Sequence, residues 1–196
     1  MGRPSLTEEK RREFMPIVAK TFVELGYRRS TTAEIAKRCG VQENVLYRVW
    51  PNKKAMFLAS IEYNYQVTVA DWHDIIEKLG GNESPAEKIL EHEAGHHGDW
   101  GLYRLVFAGL NEIDDPDILA GLQGLYTRFV QFIQDVFTKH RKINNLPVVK
   151  STDARLFAWA LIGVASAADI GRDLQLLDEK ARRKLWQQVG GMILNG

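Results

Sequence analysis

The side chains best able to do chemistry fall in two places. Gln42, Glu43, Asn44 and Arg48 lie close together in a short stretch, with Tyr47 among them. Side-chain amides pair bidentately with adenine, a carboxylate accepts from cytosine N4, and a guanidinium reaches guanine or a phosphate. The second place is His92-Glu93-Ala94-Gly95-His96, followed by His97. It spells H-E-x-x-H. On a helix His92 and His96 share one face at i and i+4, a spacing that can hold zinc with Glu93 as base. The spelling fixes only three identities, and Asp99 stands where the extended zinc-protease pattern needs glycine. Three readings are open: a zinc-dependent hydrolase, a metal sensor using His92, His96 and His97, or histidines facing solvent. The last is favoured, so no catalytic residue, metal ligand or cofactor is assigned.

Residues 42–48 read bases only if one face is held outward, and the flanking sequence supplies the means. Thr31 and Glu34 have the spacing of a capping box, so a helix starts there. Ile35 and Ala36 face inward with Cys39. Gly40 suits a helix stop and a sharp reversal, because it takes positive φ at little cost. Val41 plugs the turn. Val45, Leu46 and Val49 form the inner face of a second short helix, leaving Gln42, Glu43, Asn44, Tyr47 and Arg48 outside. Two short helices around a glycine turn, the second with a polar outer face, make a helix-turn-helix.

Within it, residues 42–44 and 48 are the candidates for base readout, and the remaining contacts position the protein. Thr32 near one helix start and Lys53 near the next are phosphate candidates, since exposed N–H groups and the helix dipole favour an anion. Thr31 is the cap rather than a DNA ligand. Arg3, in Gly2-Arg3-Pro4, is a candidate minor-groove arm, with a disordered tail as the other reading. Cys39 reads as a small packing residue, with a redox switch as the other reading.

Charge agrees with a polyanionic partner. Residues 1–54 carry 12 Lys and Arg against 6 Asp and Glu, whereas the remainder is net acidic in a chain of +1 overall. With 45% hydrophobic and 26% charged residues the composition is that of a soluble globular protein. One cysteine excludes an intramolecular disulfide. No apolar run of about 18 residues predicts a membrane span, and the charged amino-terminus lacks a signal core, so a cytoplasmic protein with no membrane partner is expected.

The fold expected is all-α, with about nine helices. Ser5 and Glu8 offer a cap for the first, whose stripe is Phe14, Ile17, Val18, Phe22 and Leu25 and which Gly26 closes. Pro16 either kinks that helix or marks its start near Met15. Asn52 caps a long fourth helix reaching about Leu79. Ser84-Pro85 starts a helix over 86–97. Others follow over 100–111, with Leu102, Leu105, Val106 and Leu110 inside, then from Asp115-Pro116 to Lys142, over 152–171 and over 178–194. Residues 1–60 form the expected DNA-binding domain, with three helices in its helix-turn-helix unit, and 61–196 a second helical domain.

The stretch TTAEIAKRCGVQENVLYRVWPNKKAMF resembles the TetR family of bacterial transcriptional regulators. Thr32, Ile35, Ala36, Gly40, Val41, Leu46, Tyr47, Asn52, Lys53 and Met56 match its pattern in place, and VAKTFVELGYRRST is similar to the family's first helix and turn. Three positions depart. Gln42 replaces a Ser or Thr cap, Asn44 replaces a small glycine, and Val49-Trp50 replaces an aromatic or histidine followed by Phe. The resemblance implies that the Tyr47 hydroxyl contacts a phosphate, with a partly buried core tyrosine as the other reading.

The resemblance further implies a homodimer that binds a double-stranded DNA operator as a repressor and is released by a small-molecule effector in the carboxy-terminal domain; a regulator with no such effector is the alternative. Trp72, Trp100, Tyr103, Phe107, Tyr126 and Phe129 are candidates to line an effector pocket, although most of them read equally as core. The small residues of 152–171, with Leu185, Trp186, Val189, Met192 and Ile193, offer either a dimer seam or a buried intramolecular face.

Overall fold

A computed structural model describes residues 6–195. The described chain is all-helical, with nine helical runs. They are α1 (Leu6–Arg29), α2 (Thr32–Arg38), α3 (Glu43–Tyr47), α4 (Lys53–Glu77), α5 (Pro85–His96), α6 (Leu102–Leu110), α7 (Pro116–Ile143) and α8 (Ser151–Asp173). The ninth joins α9 (Glu179–Leu185) to α10 (Gly191–Asn195) through a π-helical turn, Trp186–Gly190.

The chain packs as two compact units. One runs to Thr68 and takes in Trp100–Leu125; the other comprises Val69–Asp99 and the chain from Tyr126. By packing, the unit that carries the helix-turn-helix therefore extends past the expected boundary at residue 60 and recruits a later segment. The unit boundaries fall inside α4, between α5 and α6, and inside α7.

In the first unit α1 continues through Pro16 without leaving helical backbone angles, so Pro16 neither breaks the helix nor marks its start. The break comes at Gly26 (φ 73°, ψ 176°), where the expected helix end is followed by a further turn to Arg29. Buried Ser30 donates to the Gly26 carbonyl at 2.6 Å and fixes that break. The core is built on Phe14, Val18, Phe22, Ile35, Leu46, Met56 and Phe57. α6 lies along α1. Gly101 takes φ +65° and is buried; a Cβ there would stand 2.5 Å from Val23 Cγ1. Leu105 and Val106 are buried as expected, but Leu110 is 45% exposed.

In the second unit Ser84 caps α5 by accepting from the Glu87 N–H at 3.3 Å, and Pro85 takes the first helical position. The Ser84 hydroxyl also lies 2.7 Å from Nδ1 of fully buried His140 on α7. Phe137, Ala154, Ala86 and Leu194 form one core cluster; Ala94, Val164, Ala168 and Trp186 form another. By length and composition α8 is apolar enough to cross a membrane, which the run-length reading did not anticipate. It packs on α9, the π turn and α10 through Ala154, Ala158, Val164 and Ala168.

Candidate nucleic-acid interface

Local chemistry builds the helix-turn-helix in the expected way. Thr31 caps α2, its hydroxyl accepting from the Glu34 N–H at 3.1 Å. Glu34 does not complete the reciprocal box. Its carboxylate takes the Arg38 Nε at 2.8 Å, and Arg38 Nη1 reaches Glu24 of α1 at 2.5 Å. α2 ends in a Schellman turn: Gly40 N–H donates to Lys37, Val41 N–H to Ala36, and Gly40 sits at φ +68°. Cys39 is half-buried in that turn. Burial first, and the Glu13 charge second, push its thiol pKa up. The reactive thiolate is thereby disfavoured, which supports packing over a redox role.

α3 turns Leu46, Val49 and Trp50 into the core, with Val45 half-buried. Gln42, Glu43, Asn44, Tyr47 and Arg48 are exposed together. Gln42 sits at the α3 N-cap without a side-chain capping bond, which is what the replacement of Ser or Thr leads one to expect. Tyr47 is 47% exposed, so it is not a core residue. Its hydroxyl donates to Thr32 Oγ1 at 3.2 Å, and the Thr32 hydroxyl donates to Glu43 Oε2 at 2.5 Å. The two hydroxyls proposed for phosphate thus sit side by side, joined to a carboxylate. Arg3 lies outside the described residues, as does the Ser5 cap.

Lys53 opens α4 next to the Asn52 cap, whose Oδ1 accepts from the Ala55 N–H at 2.8 Å. The Lys53 ammonium donates to the Tyr27 carbonyl at 3.1 Å and lies 4.4 Å from the Tyr27 ring centroid. An ammonium has three donors, so this bond commits one of them.

Three positioning side chains, Arg11, Lys54 and Arg28, escaped the sequence reading. Arg11 on α1 donates to the Val49 carbonyl at 3.0 Å and lies over the Trp50 ring, holding the end of α3. Lys54 bridges Asp115 at 2.9 Å and Asp117 at 2.5 Å, and Arg28 meets Glu112 at 2.6 Å. The hydrogen bonds that Lys54 donates to Asp117 and then Asp115 push its pKa above the ordinary range. These pairs join α1 and α4 to the segment after α6. Only the acidic run Glu112-Ile113-Asp114-Asp115, facing a basic amino-terminal stretch, hints at them in the sequence.

The H-E-x-x-H segment resolves into two i,i+4 pairs on different faces of α5. His92 and His96 stack with ring centroids 4.5 Å apart, and His96 is exposed. Glu93 and His97 turn inward. Glu93 accepts from Trp72 Nε1 at 2.7 Å and lies 2.7 Å from His97 Nδ1, while His97 Nε2 is 3.0 Å from Asp169 on α8. Arg172 pairs with Asp169 at 3.0 Å and donates to the His97 carbonyl. Burial alone would lower the His97 pKa, but its bonds to Asp169 and Glu93 raise it to about 9. Burial would raise Glu93, yet the His97 bond and charge and the Trp72 bond bring it below the usual carboxylate range. Glu93 is therefore turned inward, with its carboxylate engaged by Trp72 and His97. Among the described residues no group of three or more His, Cys, Asp or Glu side chains is placed to hold a metal ion.

The six pocket candidates divide between the units. In the first, exposed Trp100 and Phe107 accompany Tyr103, whose ring meets Phe107 edge-on at 5.9 Å. In the second, Trp72 is buried against Phe129 at 5.8 Å and Phe132 at 5.2 Å, and Tyr126 stacks on Trp159 at 5.3 Å. Trp72 is core, and its indole N–H is consumed by Glu93.

Comparison with known proteins agrees with this geometry. Residues 19–60 match the family model described as bacterial regulatory proteins, tetR family. The chain is 31% identical over 97 residues to an uncharacterized HTH-type transcriptional regulator, YuxN, of Bacillus subtilis (strain 168), an alignment covering 44% of this chain and 32% of that one. It spans about a third of the length of the first curated relatives it matches. The TetR-family regulator structure from Cytophaga hutchinsonii superposes with a TM-score of 0.78 over 98% of this chain and 96% of its own, at 14% identity. A transcriptional regulator from Saccharomonospora viridis, solved in complex with choline, gives 0.75 over 95% and 96%, at 17% identity. These two likenesses establish the fold. With the family pattern in sequence and a capped helix-turn-helix presenting its outer face, residues 19–60 form a DNA-binding module of the tetR type, and the chain as a whole has the fold of solved TetR-family regulators.

Proposed function

We propose that the protein is a homodimeric, sequence-specific repressor that a small-molecule effector releases from its operator. The observation that carries the reading is the joint exposure of Gln42, Glu43, Asn44, Tyr47 and Arg48 on a short helix fixed by Thr31, Gly40 and Arg11. In this reading residues 1–60 bind DNA: 42–44 and Arg48 read base edges, while Thr32, Tyr47, Lys53 and Arg3 position the protein on phosphates and the minor groove. Selection of bound duplexes from random DNA tests it. A pseudo-palindromic motif is expected, with affinity that falls steeply with salt. Arg48→Ala is expected to cost about 1–3 kcal/mol and relax one position of the motif. If no motif is enriched, the reading fails.

The dimer rests on α8. Leu156, Trp159, Ala160, Gly163, Ala167 and Ile170 recur at helical spacing, and all are exposed in the single chain. Such a stripe is rarely left in water. Trp159→Asp is expected to shift the protein to monomer in sedimentation at micromolar concentration; an unchanged dimer would remove this seam. The effector site is proposed for residues 61–196, and the choline complex of the Saccharomonospora viridis relative supports a small-molecule ligand in this fold. Binding there biases α4, alters the spacing of the two recognition helices and weakens DNA affinity, which is coupling through differential affinity for two states. The protein then works in the cytoplasm, and no catalytic step belongs to this function.

A further inference from the structure

Glu43 is an unexpected occupant of the DNA-facing surface. It is exposed, yet its carboxylate takes the Thr32 hydroxyl proton at 2.5 Å, and Thr32 in turn accepts from Tyr47 at 3.2 Å. A carboxylate and a phosphodiester offer these hydroxyls the same thing: anionic oxygens with lone pairs. We propose that Glu43 is an intramolecular stand-in for a DNA phosphate, holding Thr32 and Tyr47 against backbone-only contact until a base edge draws it away. This rests on the DNA-reading role of 42–48. On a random duplex the backbone competes with a tethered anion for the hydroxyl pair. In the major groove a cytosine N4 amino group donates to the carboxylate. Glu43 then swings to the base, and Thr32 and Tyr47 become available to phosphate. One side chain thus weakens non-specific binding and couples tight binding to a base, since specificity is a difference of affinities and can come from penalising the wrong partner.

The test is a double-mutant cycle on DNA binding, read on a random-sequence duplex and on the duplex selected by the wild type, at several salt concentrations. Glu43→Ala is expected to tighten random-duplex binding about fivefold. Selection with Glu43→Ala should lose a cytosine preference present in the wild type. Removal of a negative charge alone would also tighten binding, so the cycle decides. In a Thr32→Val, Tyr47→Phe background the gain from Glu43→Ala should shrink to the part due to the lost charge, because no hydroxyl remains to be released. An equal gain in both backgrounds overturns the proposal while leaving the DNA-reading role intact. Failure of the wild type to enrich any motif removes that role, and the proposal with it.

Discussion

Phe57→Ala is expected to destabilise the unit that carries the helix-turn-helix by about 3–5 kcal/mol. Phe57 is fully buried near the start of α4. Its ring meets Phe22 edge-on at 5.2 Å and Tyr27 at 4.8 Å, and its edge lies 3.5 Å from where a Cβ on Gly109 would be. Truncation therefore opens a cavity where α1, α4 and α6 meet, and the buried small residue Gly109 has no side chain to fill it. Domains are stable by only about 5–15 kcal/mol, so the loss is a large part of the total. Urea titration followed by Trp50 fluorescence, in a background with the other four tryptophans replaced, measures it. Phe57→Leu retains most of the volume and should cost roughly 1.5 kcal/mol. A drop of less than about 1 kcal/mol for the alanine variant would mean that this contact does not hold the unit together.

His97→Ala should be nearly as damaging in the other unit. His97 stands between Glu93 and Asp169, both buried, with its ring 4.8 Å from Trp186. Its removal strips both carboxylates of a shared cation, leaving Asp169 to Arg172 and Glu93 to the Trp72 N–H. Loss of one partner of a buried ion pair costs about 3–5 kcal/mol. The pH dependence follows from the raised pKa of His97. The folded protein binds this proton more tightly than the unfolded chain, so the contribution is fully present below about pH 6.5 and is lost as pH rises through about 9. The span between those values corresponds to about 3 kcal/mol. Glu93 has the opposite sign: its depressed pKa gives stability above about pH 4.5 that is lost in acid. Denaturation midpoints taken at pH 6 and pH 9.5 should fall on the alkaline side in wild type and stay level in His97→Ala. Equal alkaline losses in the two proteins would show that another group is responsible.

The parts of this molecule that were legible in sequence are those whose determinants are local. Thr31 and Gly40 lie within one turn of what they organise, so the cap and the Schellman turn could be read directly, whereas the Glu34 carboxylate goes to Arg38 instead of closing the box. The outward set of α3 followed from three inward apolar residues. The register of α6 was less secure: its pattern places Leu105 and Val106 inside, but nothing in it says that α1 is the partner or that Leu110 faces out. The H-E-x-x-H reading was limited for the same reason. His97 and Glu93 are an i,i+4 pair like His92 and His96, and what turned one pair inward was Asp169, far along the chain on α8. Trp72 looked like pocket lining because aromatic residues serve both purposes, and its burial against Phe129 and Phe132 with its bond to Glu93 assigns it to the core. Arg11 carried no local mark, since its target is the backbone carbonyl of Val49.

The recruitment of Trp100–Leu125 into the first unit bears on how the protein is made. The chain leaves the ribosome from its amino-terminus, yet α1 cannot cover its Val23 face until Gly101 and α6 have been synthesised. At about 5–20 residues per second, the nascent helix-turn-helix waits several seconds for the segment that closes its core. During that interval its apolar α1 surface is available to chaperones and to other nascent copies. A fragment ending near residue 60 would hold the molecule in that incomplete state permanently, whereas one that includes Leu125 carries the whole closing segment.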